Sequence, residues 1–127
     1  MTRRLPIAAV RPTQLYLSSE KVADAAAWFD FDDPDYDPLP VFEYDGDWYL
    51  SDGHTRAFLA HLAGVDGLRV ERDDGLREEY DFGVYEAAIE WCDEGDVTEI
   101  ADLVGRVVEP DTFEEVWIAR CQQVGEE

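Results

Sequence analysis

Five consecutive residues, Asp52-Gly53-His54-Thr55-Arg56, set a carboxylate, an imidazole, a hydroxyl and a guanidinium around one glycine. A glycine-containing turn that opens a helix leaves several backbone N–H groups unpaired at the positive end of the helix dipole. Such a turn binds anions, and His54 and Arg56 are expected to add donors and charge to it. Arg56, one residue inside the helix, can fork two phosphate oxygens; the alternative is a salt bridge, to Asp52 for example. A carboxylate at Asp52 is useful there if it holds a metal, orients His54 or accepts a proton from a nucleophile. Otherwise it forms an Asx turn that shapes the loop. His54 is a candidate catalytic and anion-binding residue, against the alternative of an exposed loop histidine without a role. His61, further along the helix, reads as a packed or surface residue.

The flanking elements must hold this loop in place. Val41–Tyr44 and Trp48–Leu50 are rich in β-branched and aromatic residues, and Asp45-Gly46 between them favours a type I′ hairpin. Ala57, Phe58, Leu59, Leu62 and Ala63 follow the loop at helical spacing, and Gly64 supplies a left-handed stop. Upstream, Leu5–Val10 is a short apolar strand stopped by Arg11-Pro12. Ser18 or Ser19 can cap a helix running to about Phe29. The segment FDDPDYDPLP is an irregular loop by virtue of Pro34, Pro38 and Pro40. Its aspartates at 33, 35 and 37 imitate an EF-hand, but Pro38 stands where Gly is required and Tyr44 where the bidentate Glu belongs, so no metal site is read there. Downstream, Leu68–Arg72 fits a further strand and Asp73-Asp74-Gly75 a turn. A helix is expected from about Gly83 to Asp93 with Gly95 as its stop. Capping boxes at Asp96–Glu99 and Asp111–Glu114 open two more helices. The last of these carries Glu114 and Glu115 near its start, the wrong sign for a DNA recognition helix. The fold class is α+β: a small mixed sheet carrying two helices, with a C-terminal helical extension packed on it. We expect one domain over 1–127, with sheet and loop in 1–75 and the extension in 76–127. Its core should include Leu5, Ile7, Val22, Phe29, Val41, Trp48, Leu50, Phe58, Leu59, Leu62, Val70, Trp91 and Trp117.

The charge balance is extreme, 31 acidic against 10 basic residues for a net charge of −21. Hydrophobic residues still make up 46% of the chain, enough for a packed core. Such acidity disfavours DNA as a partner, because Lys and Arg supply most non-specific affinity for phosphate backbones. Acidic residues are spread over every segment, and Lys21 is the only lysine beside nine arginines. Diffuse acidity with lysine depletion suits a cytoplasm at molar salt, where the Debye length falls to about 3 Å. Six apolar residues before Arg11-Pro12 are too few for a signal peptide, so a cytoplasmic location without a membrane is expected. Cys92 and Cys121 lack CxxC spacing and read as buried, reduced thiols.

The loop DGHTR, after a hairpin and before a small-residue helix ending in Gly, resembles the signature loop of ParB/sulfiredoxin-like domains. Sulfiredoxins carry Gly-Cys-His-Arg there, ParB proteins Gly-Glu-Arg-Arg, and free-serine kinases Asp-Gly-His-His-Arg. The stretch LPIAAVRPTQLYLSSEKVADA resembles the opening strand, Arg-Pro and Lys-bearing first helix of sulfiredoxin. Together these cover roughly residues 5–65. The resemblance implies that Gly53, His54, Thr55 and Arg56 hold nucleotide phosphates and that Lys21 contacts them from the first helix. It also implies that Arg11 faces the same cleft. His54 stands where sulfiredoxin has its cysteine, which excludes sulfinyl phosphoryl chemistry. Thr55 replaces a histidine, and its hydroxyl can still donate to a phosphate or bind a phosphate-held magnesium. Asp24 and Trp28 depart from small hydroxyl residues, so base and ribose contacts differ.

Three functions are compatible with these residues. One is a nucleotide-dependent phosphotransferase or nucleotide hydrolase using ATP, ADP or CTP with Mg²⁺, with Asp52 and His54 catalytic and Glu20 or Glu43 as further general bases. The second is a nucleotide-binding switch or adaptor without turnover, for which a homo-oligomer is compatible. The third, a ParB-like nuclease, lacks a clustered metal-binding set and a basic path for DNA.

Overall fold

The computed structural model describes residues 2–74 and 82–125. A five-stranded mixed sheet forms its centre. The strands are β1 (Thr2–Pro6), β2 (Val10–Arg11), β4 (Leu39–Tyr44), β5 (Asp47–Leu50) and β6 (Gly67–Arg72), in the order β1-β6-β4-β5-β2. A separate parallel pair joins β3 (Leu17–Ser18) to β7 (Val107–Val108). Antiparallel β4 and β5 are joined at Asp45 (φ 52°) and Gly46 (φ 86°), the two positive dihedrals a type I′ turn requires. The register pairs Val41 with Leu50 and Phe42 with Tyr49, so one face presents aliphatic and the other aromatic residues.

Helix α1 (Ser19–Ala26) and helix α2 (His54–Leu62) pack on each other, and helix α3 (Phe82–Glu94) follows β6. The C-terminal helix α4 begins as α-helix at Pro110–Phe113, widens to a π-helical turn over Glu114–Ile118 and closes as α-helix over Ala119–Gly125. Among the described residues no helix is long and apolar enough to cross a membrane.

One core joins both halves of the chain. Leu39, Val41, Leu50, Leu68 and Val70 of the sheet meet Ala57, Leu59 and Ala60 of α2, and Ile100, Leu103 and Trp117 complete the cluster. Burying each such leucine contributes about 1.5–3 kcal/mol. On the aromatic face Phe42, Tyr49 and Ile89 form a smaller cluster. The mixed α+β class and the C-terminal helices agree with the sequence reading, and Leu5, Phe29, Val41, Leu50, Phe58, Leu59, Val70 and Trp117 lie in the core. Ile7, Val22, Trp48 and Trp91 are only partly buried against it. Leu62, the last residue of α2, is 53% exposed.

Several helix ends differ from expectation for local reasons. The α1 helix stops at Ala26 rather than Phe29, and Ser18 caps it without a side-chain bond. The stop after α3 is not Gly95 but Asp96, which takes the left-handed conformation (φ 60°). Asp96 N–H donates to Asp93 O and Val97 N–H to Cys92 O, the paired bonds of a Schellman motif. A Cβ on Gly95 would make a tight 3.1 Å approach to Leu15 Cδ2. With Asp96 committed to closing α3, the next cap moves to Glu99. It forms a capping box with Asp102 over the 3₁₀ turn Ile100–Leu103. The final helix opens two residues earlier than its expected box places it, with Glu109 as N-cap and Pro110 first in the helix, where its fixed φ and missing N–H suit the position. The turn at Asp73-Asp74-Gly75 runs into residues outside the described range.

Candidate anion-binding cleft at the start of α2

Helix α2 starts where β5 ends, and a chain of short contacts fixes the junction. Ser51 N–H donates to Pro40 O (3.0 Å), and Ser51 Oγ donates to Asp73 Oδ2 (2.8 Å). Gly53 is the N-cap residue, in the left-handed conformation (φ 78°, ψ 22°). A Cβ on Gly53 would lie 2.8 Å from Leu39 Cδ2 and 2.9 Å from Arg56 Nη2, so glycine is needed for both conformation and space. The N-cap glycine has no side chain to cap the helix, and no other side chain among the described residues does so, so its first N–H groups are left without that partner. Asp52 bonds the amide of the next residue, not the one two residues on that an Asx turn would take. Its Oδ1 accepts the Gly53 N–H at 2.8 Å, which withdraws that one amide from a ligand.

His54 is the first residue of α2 and is 3% exposed, so it is not a loop histidine open to solvent. Its Nε2 accepts the Thr13 backbone N–H at 2.8 Å, while Thr13 Oγ1 donates to Leu50 O at 2.7 Å. Because a backbone amide only donates, Nε2 carries the lone pair and the proton sits on Nδ1. That Nδ1 is buried with no hydrogen-bond partner among the described residues. Burial lowers the His54 pKa from 6.5 to about 4, against a smaller upward pull from the Asp52 carboxylate. At neutral pH His54 is therefore uncharged. It clamps the 12–14 turn to the helix start and adds no charge to the site, contrary to the sequence-based expectation.

The N-terminus of α2 lines a cleft of about 260 Å³. Asp52, Gly53, His54, Thr55 and Arg56 form one wall, and Lys21 and Trp28, from α1 and the turn after it, reach in from another. Lys21 and Arg56 have no carboxylate within ion-pair distance among the described residues. By contrast, Arg11, Arg69 and Arg72 are all paired. Arg56 folds back over Gly53, and its Nη1 donates to Asp37 O at 3.4 Å. Lys21 Nζ lies 5.6 Å from the centroid of the Phe113 ring, which holds the ammonium by a cation–π contact.

Arg11 does not face this cleft. It bonds Asp93 (2.8 Å) and Asp47 (3.3 Å), lies 5.5 Å from the Tyr49 ring, and lines a separate hollow with Asp47 and Trp48. Its partner in the β2–β5 register is Tyr49, on the aromatic side of the sheet, and it is Thr13 that turns in toward the site. Glu43 pairs with Arg72, and neither Glu43 nor Glu20 lines the cleft. Sequence reasoning missed Phe113, Gln14 and Ser18 as cleft residues. Phe113 arrives from the C-terminal helix, and no local pattern signals that contact.

No protein-family model matches the sequence, and no curated protein matches it. Among solved structures, protein Atu1540 from Agrobacterium tumefaciens aligns with 98% of this chain and 69% of its own at 18% identity and TM-score 0.54. Sulfiredoxin from Arabidopsis thaliana aligns with 61% of this chain and 90% of its own at 19% identity and TM-score 0.41. The C-terminally truncated chromosome-partitioning protein ParB from Caulobacter crescentus, complexed with CTP-gamma-S, covers 100% of this chain and 93% of its own at 14% identity and TM-score 0.47. At these identities the likeness concerns fold and carries no activity across. The fold of this chain is thus like that of protein Atu1540.

Proposed function

We propose that this protein binds the phosphate groups of a nucleotide in the cleft at the start of α2, as a binding module. The observation that carries the reading is the meeting of Lys21 and Arg56, neither with a carboxylate partner among the described residues, at a helix N-terminus that no side chain caps. The His54, Thr55 and Arg56 amides supply directional donors, the guanidinium supplies a fork, and the ammonium supplies a point charge. Trp28, 55% exposed on the cleft, offers a face on which a base can stack.

Binding is favoured over turnover because the two candidate catalytic groups are engaged in holding the loop. His54 Nε2 is occupied by Thr13, and Asp52 Oδ1 by Gly53. A phosphotransferase or hydrolase reading rests on one specific feature. Asp52 and Thr55 line the same cleft, where a carboxylate oxygen and a hydroxyl together could hold a phosphate-bound Mg²⁺. A thermal-shift panel of ATP, ADP and CTP with and without Mg²⁺, in molar KCl, tests both readings. Ligand at a hundredfold its Kd stabilises by about 2.7 kcal/mol. A shift without phosphate release supports the binding module, and release that depends on Asp52 supports the enzyme. No shift with any of the three nucleotides overturns the site.

A further inference from the structure

We propose that the β1/β6 edge of the sheet holds a second anion site, centred on Arg4 and Arg69, for a compact oxyanion of the phosphate or phosphate-monoester class. Arg4 and Arg69 are direct partners in the antiparallel register of β1 and β6. Directly opposed side chains share a face, and like charges so placed repel. In a chain of net charge −21 with only ten basic residues, this pairing runs against composition. Arg3 joins them at the rim of a hollow of about 460 Å³, which Pro34 and Tyr36 also line. The hollow shares no residue with the α2 cleft.

Both guanidinium stems are seated. Arg4 lies against Gly67, where a Cβ would come within 2.7 Å of Arg4 Nε and 3.2 Å of its Cγ. Gly67 therefore supplies the space that keeps Arg4 beside Arg69. The Arg69 guanidinium stacks 5.5 Å from the Tyr36 ring centroid, and Arg69 N–H donates to Tyr36 Oη at 3.2 Å. Arg3 lies 5.2 Å from the Trp48 ring. Among the described residues, the only carboxylate within ion-pair distance of the three arginines is Asp35, 3.1 Å from Arg69 and with its side chain 90% exposed. Two seated guanidiniums lining one hollow, with a single exposed counter-charge at Arg69, match an oxyanion that accepts from both.

The test is a titration with inorganic phosphate at ionic strength held constant with KCl, read on the backbone amides of Arg4, Gly67 and Arg69. Wild type, Arg4→Gln and Arg56→Ala are compared, and melting temperatures confirm that all three fold. The site predicts saturable shifts in wild type and in Arg56→Ala, and at least roughly tenfold weaker binding in Arg4→Gln, the loss of one hydrogen bond to a charged group. Shifts that stay linear in phosphate, or that are equal in Arg4→Gln, overturn it. So does their disappearance in Arg56→Ala, which would assign every effect to the α2 cleft.

Discussion

Replacing His54 by Gln should remove a specific part of the protein's acid sensitivity. Imidazole titrates at about 6.5 in the unfolded chain, whereas burial holds His54 at about 4 in the native state. Between these values the unfolded state binds the extra proton and the native state does not, so stability rises with pH. The contribution is fully present above about pH 6.5 and is lost as the pH falls towards 4. From pH 7.5 to pH 5.0 the two pKa values give a loss of about 2 kcal/mol, and the full difference approaches about 3 kcal/mol in more acid solution. Gln at this position does not titrate, and its side-chain oxygen can still accept the Thr13 N–H that Nε2 accepts at 2.8 Å. The many carboxylates titrate in both proteins and cancel in the comparison. Urea unfolding of both proteins at pH 5.0 and 7.5 in molar KCl measures the effect, staying above the sequence pI of about 4.1. The variant should lose about 2 kcal/mol less than wild type over that interval. Equal losses in the two proteins would refute the assignment of His54 as a buried, neutral clamp.

Arg56→Ala and Lys21→Ala should each weaken nucleotide or phosphate binding by roughly 1.5–3 kcal/mol while melting close to the parent, as titration calorimetry and thermal melts will show. Unchanged binding in both removes the cleft assignment. Gly53→Ala should destabilise by at least roughly 1–2 kcal/mol in urea unfolding, from the left-handed backbone alone, with the 2.8 Å approach to Leu39 adding to it. A neutral effect there would show that the loop relaxes. Melting temperature and cooperativity should rise as KCl increases from millimolar to molar, since screening relieves the self-repulsion of a chain of net charge −21. A flat or falling melting temperature would instead point to a basic partner.

What was legible in the sequence was what is local. Asp45-Gly46 specified its hairpin because few residue pairs tolerate two positive φ values. Gly64 ended α2 as a left-handed stop (φ 83°), closed by the Gly64–His61 and Val65–Ala60 bonds. The DGHTR loop opened a helix as its glycine required, one residue earlier than expected. What failed depended on contacts between distant segments. Nothing near His54 reveals that Thr13, 41 residues away, occupies its ring nitrogen. Arg11 was drawn to the cleft by its place in the Arg-Pro motif, but Asp93 and Asp47 hold it on the aromatic side. The Asp96–Glu99 box was misplaced because the same residues also had to end α3, and a left-handed Asp96 cannot serve as an N-cap in extended conformation.

The neutral state of His54 changes how an anion can be held in so acidic a protein. With the imidazole uncharged, only Lys21 and Arg56 among the described residues bring positive charge to the cleft, and Asp52 offsets one of them. A field that weak cannot draw an anion from a distance against a net charge of −21. At molar salt it does not need to, because interactions beyond about 3 Å are screened and the acidic surface no longer repels the ligand. For the proposed ligand, what would survive screening is contact with the helix amides, the guanidinium fork and the ammonium seated on Phe113. Affinity in this cleft should therefore depend on donor geometry more than on charge. Arg56→Lys, which keeps the charge and loses the fork, should then bind nearly as poorly as Arg56→Ala in molar KCl. Recovery of wild-type affinity in the lysine variant would show that charge alone holds the ligand.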